Sequence, residues 1–208
     1  MKIRNDTTLY FIRHGQTISN VKHIRQGVQI DDYLDTQGIL QIEKLVPIIQ
    51  SLDLDILFTS YLHRAEESTA IINTHLKEPL PIYHDFRLRE RDFGSLTGHD
   101  QAYWDEQLPN NRELEEMQTY DYRPFGGENV DDVRQRSFSA ILDIITNQEH
   151  KNIGIITHNG VIRLLLFHFP EIPRIYRGIQ TSKDIANTDI YELVVSKSKI
   201  DNIKSLLR

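Results

Sequence analysis

Four short runs of apolar, largely β-branched residues constrain this chain more than any other feature. They are Leu9-Tyr10-Phe11-Ile12, Ile56-Leu57-Phe58-Thr59, Ile153-Gly154-Ile155-Ile156 and Ile190-Tyr191-Glu192-Leu193-Val194-Val195. The runs are continuous rather than alternating, as expected of strands covered on both faces of a sheet. Helical periodicity fills the intervals between them. Between Thr36 and Leu52, residues Ile39, Ile42, Val46 and Ile49 recur at helical spacing, and Pro47 is expected to kink that element. Leu62, Ala65, Thr69, Ile72 and Leu76 line one face of a second helix, with Ser60 as its expected N-cap. Val130, Val133, Ser137, Ile141 and Ile144 line a third. Asn129 caps it, and Asp131 and Asp132 lie in its first turn, where the helix dipole favours them. Residues 161–167 read as a short apolar helix.

This alternation predicts an α/β fold of three layers, a mostly parallel central sheet with helices on both faces. At 208 residues the chain is expected to form one domain over 1–208. The segment at about 95–125 fits neither period. Between His99 and Arg123 it carries seven acids, Asp100, Asp105, Glu106, Glu113, Glu115, Glu116 and Asp121, against Arg112 and Arg123. Such an insertion reads as a functional cover or a disordered segment, and burial of Trp104, the only tryptophan, would favour the cover.

Composition narrows the chemistry. Hydrophobic residues at 39% and charged residues at 26% fit a globular protein. The net charge of −6 and the lack of a basic face argue against a nucleic-acid partner, so any bound phosphate must be held by a local group of cations. There is no cysteine, which removes disulfides, thiolate metal ligands and cysteine-nucleophile phosphatases. The start, Met1-Lys2-Ile3-Arg4-Asn5-Asp6, turns polar at once, and no stretch approaches the roughly 18 apolar residues of a membrane span, so no membrane partner and a cytoplasmic location are expected.

Candidate residues follow the strands at their C-terminal ends, where open α/β sheets bind ligands. Arg13 and His14 follow the first run, Arg64 opens the helix after the second, and His158 follows the third. If those strands are parallel neighbours, two histidines and two arginines converge. Neutral imidazole is a good nucleophile toward phosphorus, and paired guanidiniums clamp phosphoryl oxygens. Such a clamp supplies the positioning and charge stabilisation that phosphoryl transfer needs. A histidine beside two guanidiniums should titrate below about 6.5 and so be neutral near pH 7. A carboxyl near a bound phosphate would have a raised pKa and could protonate the leaving oxygen, and Glu90 is the leading candidate. Taken singly, each residue has a plainer reading. A lone histidine is more often surface or core, Arg64 could be an ordinary helix arginine, Glu90 could pair with Arg89 or Arg91, and Glu128 and Asn129 could be capping residues. No His/Asp/Glu cluster with metal-ligand spacing stands near either histidine, so neither a metal nor a cofactor is expected.

These residues resemble the histidine phosphatase superfamily, also called phosphoglycerate mutase-like. Arg13-His14-Gly15-Gln16-Thr17 with Asn20 is similar to its signature. Four further segments match in order: Gln26-Gly27 with Leu34-Asp35-Thr36-Gln37-Gly38; Thr59-Ser60-Tyr61-Leu62-His63-Arg64-Ala65 with Thr69-Ala70; Leu88-Arg89-Glu90-Arg91-Asp92-Phe93-Gly94 with Gly98; and Thr157-His158-Asn159-Gly160-Val161-Ile162-Arg163. The resemblance implies that His14 is the phosphorylated nucleophile, that Arg13, Arg64 and His158 hold phosphoryl oxygens, and that Glu90 is general acid, then base. It further implies phosphate or substrate contacts from Thr17, Asn20, Gln26, Gly27 and the Asn159 backbone. Gln16 and Asn159 depart from the residues many members carry there, glutamate and glycine.

Within that resemblance the sequence leans to hydrolysis. Mutases of the family bring extra cations from the insertion, whereas Arg112 and Arg123 stand far apart here and Gln101 falls near the family's lysine position. An acidic cover should also repel a polyanion. Pro124-Phe125-Gly126-Gly127-Glu128-Asn129 with Asp132 and Arg136 resembles the phosphatase branch, while Arg91 directly after Glu90 is a mutase-like feature. The expected activity is a metal-independent phosphomonoesterase acting on a small phosphorylated metabolite, as a monomer or homodimer. The alternatives are mutase-type transfer, a catalytically dead scaffold and a non-catalytic phosphometabolite sensor.

Overall fold

The computed structural model describes residues 7–147, 149–178 and 185–208. The polar start Met1-Lys2-Ile3-Arg4-Asn5-Asp6 lies outside the described residues. Six strands form one sheet: β1 (Thr8–Arg13), β2 (Ile56–Thr59), β3 (Ile82–His84), β4 (Asn152–Thr157), β5 (Arg174–Tyr176) and β6 (Ile190–Val194), in the order β3-β2-β4-β1-β6-β5. The first four in that order run parallel. β6 lies antiparallel on β1, and β5 antiparallel on β6. The fourth apolar run thus extends the sheet in the opposite sense.

Alternation of side chains along β1 builds two cores. Leu9 and Phe11 face one layer, formed by α6 (Val130–Asn147), α7 (Asn159–His168) and α8 (Lys197–Leu206), through residues such as Phe138, Ile162 and Ile203. Tyr10 and Ile12 face the other, formed by α2 (Thr36–Ser51) and α3 (His63–Thr74), through Ile42, Leu45, Ala65 and Ile72. α2 continues through Pro47 to Ser51. The expected cap at Ser60 is displaced. α3 begins after Leu62, which makes no side-chain cap, while the Ser60 hydroxyl accepts from the Leu62 amide at 3.3 Å. Asn129 does cap α6, exchanging hydrogen bonds with Asp132 at 2.8 and 2.9 Å.

The 95–125 segment takes regular structure. It contains α4 (Gln101–Gln107) and α5 (Asn111–Glu116) and is built around its own aromatic core, Phe93, Leu96, Trp104, Tyr120 and Tyr122. Trp104 is fully buried and meets Phe93 and Tyr122 edge-on at 5.1 and 5.6 Å. No helix of the described residues is long and apolar enough to cross a membrane.

Register brings the site together. Arg13 pairs with Thr157 across β1 and β4, and Thr59 pairs with Ile156 across β2 and β4. The residues that leave the carboxyl ends of these three neighbours therefore emerge side by side.

Candidate active site

His14 leaves β1 with its amide bonded to the Thr157 carbonyl at 3.2 Å, beside the point where His158 leaves β4. The two imidazole centroids are 5.1 Å apart, and both residues are almost wholly buried. His14 Nδ1 lies 2.7 Å from the Gly15 carbonyl oxygen. A carbonyl only accepts, so Nδ1 carries the proton and Nε2 keeps its lone pair. Burial, then Arg64, then Arg13, hold the His14 pKa well below the usual imidazole value. The direction expected from the arginines holds, with burial the larger cause. His158 is lowered in the same way by burial, Arg64 and His14, and neither of its ring nitrogens has a hydrogen-bond partner.

The loop carrying His14 is braced from all sides. The Gly15 amide donates to Ser68 Oγ on α3 at 3.1 Å, and the Gln16 amide to Gln41 Oε1 on α2 at 3.0 Å. Gly38 at the start of α2 packs so close that a Cβ there would overlap the Gln16 carbonyl. Asn187 donates to the His14 carbonyl at 3.0 Å and to Asn20 Oδ1 at 3.1 Å. That contact comes from just before β6, where no sequence motif pointed.

Arg64, 1% exposed, donates to the carbonyls of Gly27 at 2.9 Å and Ile30 at 3.2 Å, with Asp31 at 3.8 Å. Arg13 donates to the Ile185 carbonyl at 2.6 Å and leaves its Nε without a partner. Burial lowers the Arg13 pKa to about 10, so it remains a cation near neutrality. Glu90 faces both arginines. Its carboxylate accepts from the Arg91 amide at 2.8 Å and the Gly160 amide at 3.1 and 3.2 Å. Behind it, Arg136 places all five N–H groups. Two go to Glu128 at 2.8 Å, and three to the carbonyls of Arg87 (2.8 Å), Arg89 (2.8 Å) and Glu90 (3.0 Å).

These groups share one cavity of about 1020 Å³. Arg13, His14, Asn20, Gln26, Gly27, Arg64, Glu90 and Asn159 line it. Two expected site residues do not. His158 is fully buried next to His14, and Thr17 is fully buried, its hydroxyl accepting from the Asn20 amide and the Gln26 side chain at the start of α1 (Ile18–Val21). On the outer side the insertion contributes Asp105, Arg112, Glu115 and Glu116. The acidic count of that segment misjudged the mouth, because Arg25, Arg91 and Arg163 reach it from elsewhere in the chain. Among the described residues no group of three or more His, Asp or Glu could hold a metal ion.

The family model for the histidine phosphatase superfamily (branch 1) matches residues 9–202. The chain is 28% identical to a 2,3-bisphosphoglycerate-dependent phosphoglycerate mutase of Cytophaga hutchinsonii, over 88% of this chain and 82% of that protein. It is 31% identical to a broad-specificity phosphatase of Saccharomyces cerevisiae, over 78% and 70%. Among solved structures, that of Bacillus stearothermophilus YhfR superposes with a TM-score of 0.76 at 27% identity, covering 92% of each chain.

Proposed function

This chain belongs to the histidine phosphatase superfamily, branch 1, and on that premise we propose that it hydrolyses small phosphomonoesters through a phosphohistidine on His14, without a metal ion. The observation that carries the reading is His14 itself, a buried imidazole with Nδ1 tied to the Gly15 carbonyl and Nε2 free, beside Arg13, Arg64 and His158. In the proposed reaction Nε2 attacks phosphorus as the ester P–O bond breaks. The two guanidiniums stabilise the charge spread over the phosphoryl oxygens, and His158, buried beside His14 with both ring nitrogens unpartnered, is assigned the remaining contact, made once the substrate enters. Glu90 in its acid form donates its proton to the leaving oxygen. The resulting carboxylate then takes a proton from water as that water attacks the phosphohistidine, releasing phosphate and restoring His14. Asn20 and the Asn159 backbone contribute further phosphate contacts, and Gln26 and Gly27 shape the same wall.

A second reading, mutase-type transfer, is favoured by Arg91 directly after Glu90 and by the mutase among the relatives. The two share the phosphohistidine and differ in its fate, water or a second hydroxyl of the substrate.

The test is a rapid-quench intact-mass measurement after mixing with an aryl phosphate at mildly acidic pH, beside His14→Ala. The expected result is an acid-labile gain of one phosphoryl group on the wild type alone, with release of phosphate. An adduct that survives in His14→Ala, or turnover with no adduct on the wild type, removes His14 as nucleophile. Conversion of a phosphoglycerate into its isomer faster than release of phosphate selects the mutase reading.

A further inference from the structure

We propose that Glu115 sets the leaving-group preference of this site, holding Arg25 and Arg91 so that the pocket selects phosphomonoesters whose leaving group bears no negative charge. The inference rests on the phosphatase reading above and names the substrate class of that site.

Glu115 comes from α5 of the cover and lines the same cavity as Glu90. Its carboxylate meets Arg25 Nη1 at 2.7 Å and Arg91 Nη1 at 3.0 Å, and accepts from the Tyr122 hydroxyl at 2.9 Å. Its side chain is only 12% exposed. Burial alone would favour the acid form. Arg91 and then Arg25 outweigh it and keep Glu115 below the usual carboxylate range, hence ionised. Both cations are fixed as well. Arg25 lies over the Trp104 ring at 4.2 Å, and Arg91 lies 5.3 Å from the Phe93 ring and 5.0 Å from the Tyr120 ring.

Arg25 is therefore hydrogen-bonded to a carboxylate of the protein's own, and Arg91 is ion-paired with the same carboxylate, although its Nε and Nη1 make no hydrogen bond. The rest of the outer wall is also close to balance. Arg112 stands 3.9 Å from Glu116, and Arg163 donates to Asn159 Oδ1 at 3.4 Å. Leaving aside Arg13, Arg64 and Glu90, four arginines face Asp105, Glu115 and Glu116 across the mouth. A leaving group carrying a carboxylate or second phosphate would have to displace Glu115 from two guanidiniums or sit beside it as a like charge. Either costs binding energy in a desolvated site, and a neutral hydroxylated leaving group avoids both.

Glycerol 3-phosphate and 3-phosphoglycerate make the comparison, since they differ in a terminal CH2OH against a carboxylate. Isothermal titration calorimetry at physiological ionic strength, with every protein carrying His14→Ala so that neither ester is turned over and wild type meaning wild type at positions 25 and 115, gives both dissociation constants. The wild type is expected to bind glycerol 3-phosphate the more tightly. Glu115→Gln should shift the affinity ratio toward 3-phosphoglycerate by roughly tenfold to a hundredfold, the range of one charge-assisted hydrogen bond. Arg25→Gln, which frees Glu115 to repel, should shift it the other way. Opposite shifts from two variants of one ion pair cannot come from general unfolding, and the wild-type ratio stands even if Glu115→Gln fails to fold. A wild type that prefers 3-phosphoglycerate, or a ratio unmoved by both substitutions, overturns the inference. Absence of turnover of an aryl phosphate would overturn the phosphatase reading while the binding ratio still judged Glu115.

Discussion

At the scale of single residues, the most consequential contact is between Gly160 and Glu90. The amide of Gly160, the second residue of α7, donates to both carboxylate oxygens, and the approach is so close that a Cβ at 160 would overlap Glu90 Oε1. Gly160 thus fixes where the proposed proton donor sits. Glu90→Gln should slow alkyl phosphates by about 10²- to 10⁴-fold, the worth of general acid catalysis. Aryl phosphates, whose leaving groups need little protonation, should be slowed far less. Gly160→Ala should reproduce that pattern by displacing the carboxylate without removing it. Steady-state rates on the two substrate types check this, and equal slowing on both would remove Glu90 from the acid role. That Arg13, His14, Arg64 and Glu90 share one cavity was legible because each sits in a motif, three of them beside an apolar run; their roles belong to the proposed function. Gly160 lay inside a matched motif but drew no role, since nothing in a sequence shows which glycine abuts a carboxylate seventy positions earlier.

At the scale of elements, α6 holds the acid segment through Arg136. One guanidinium satisfies three consecutive-turn carbonyls, those of Arg87, Arg89 and Glu90, and a bidentate carboxylate at Glu128. A lysine has three donors and no planar fork, so it cannot reproduce this set. Arg136→Lys is expected to cost about 1–3 kcal/mol through the carbonyls it leaves unpaired, readable as a lowered urea midpoint. It should also slow alkyl phosphates more than aryl ones, because the segment it releases carries Glu90. A drop in stability with both substrates equally affected would confine Arg136 to a structural role. Sequence resemblance flagged Glu128 and Arg136 without their job, which is contact with backbone carbonyls invisible to side-chain patterns. The elements that periodicity missed share a physical cause. β3 and β5 are three-residue strands with half-exposed or exposed positions, so they lack an apolar run. α4 buries Trp104 in a local aromatic core, and α5 buries Asn111 and packs Leu114 against that core, so neither carries an aliphatic stripe against the sheet.

At the scale of the whole molecule, the site imposes a pH dependence on folding. His14 and His158 are held neutral by burial first and the neighbouring arginines second. In the unfolded chain both titrate near 6.5. Above that pH neither state binds the proton and the pair contributes nothing to the pH dependence. As pH falls below about 6.5 the unfolded chain takes up protons that the folded one refuses, so stability is lost, at up to about 1.4 kcal/mol per histidine per pH unit. The loss continues until the depressed folded-state values are reached. Glu115 and Glu128, also depressed, shed their contributions in a lower window, as pH falls through the carboxylate range. Urea titrations at pH 7.5 and 5.5 therefore isolate the histidines. The wild type should lose stability between them, and His158→Asn should lose less, with His14 and, to a smaller extent, His168, also lowered by burial and Arg134, supplying the rest. An equal loss in both proteins would place the acid sensitivity elsewhere.

Arg13, His14 and His158 are mounted at strand ends between two mostly aliphatic cores, whereas about half of the outer wall of the cavity is mounted on a segment with an aromatic core of its own. The two can therefore change at different rates over generations. On the proposed function, substitutions among residues 95–125 are expected to retune which alcohol is accepted while the proposed chemistry passes unaltered from ancestor to descendant. A lineage built this way is expected to gain new substrates by redrafting one part of its architecture and inheriting the other intact.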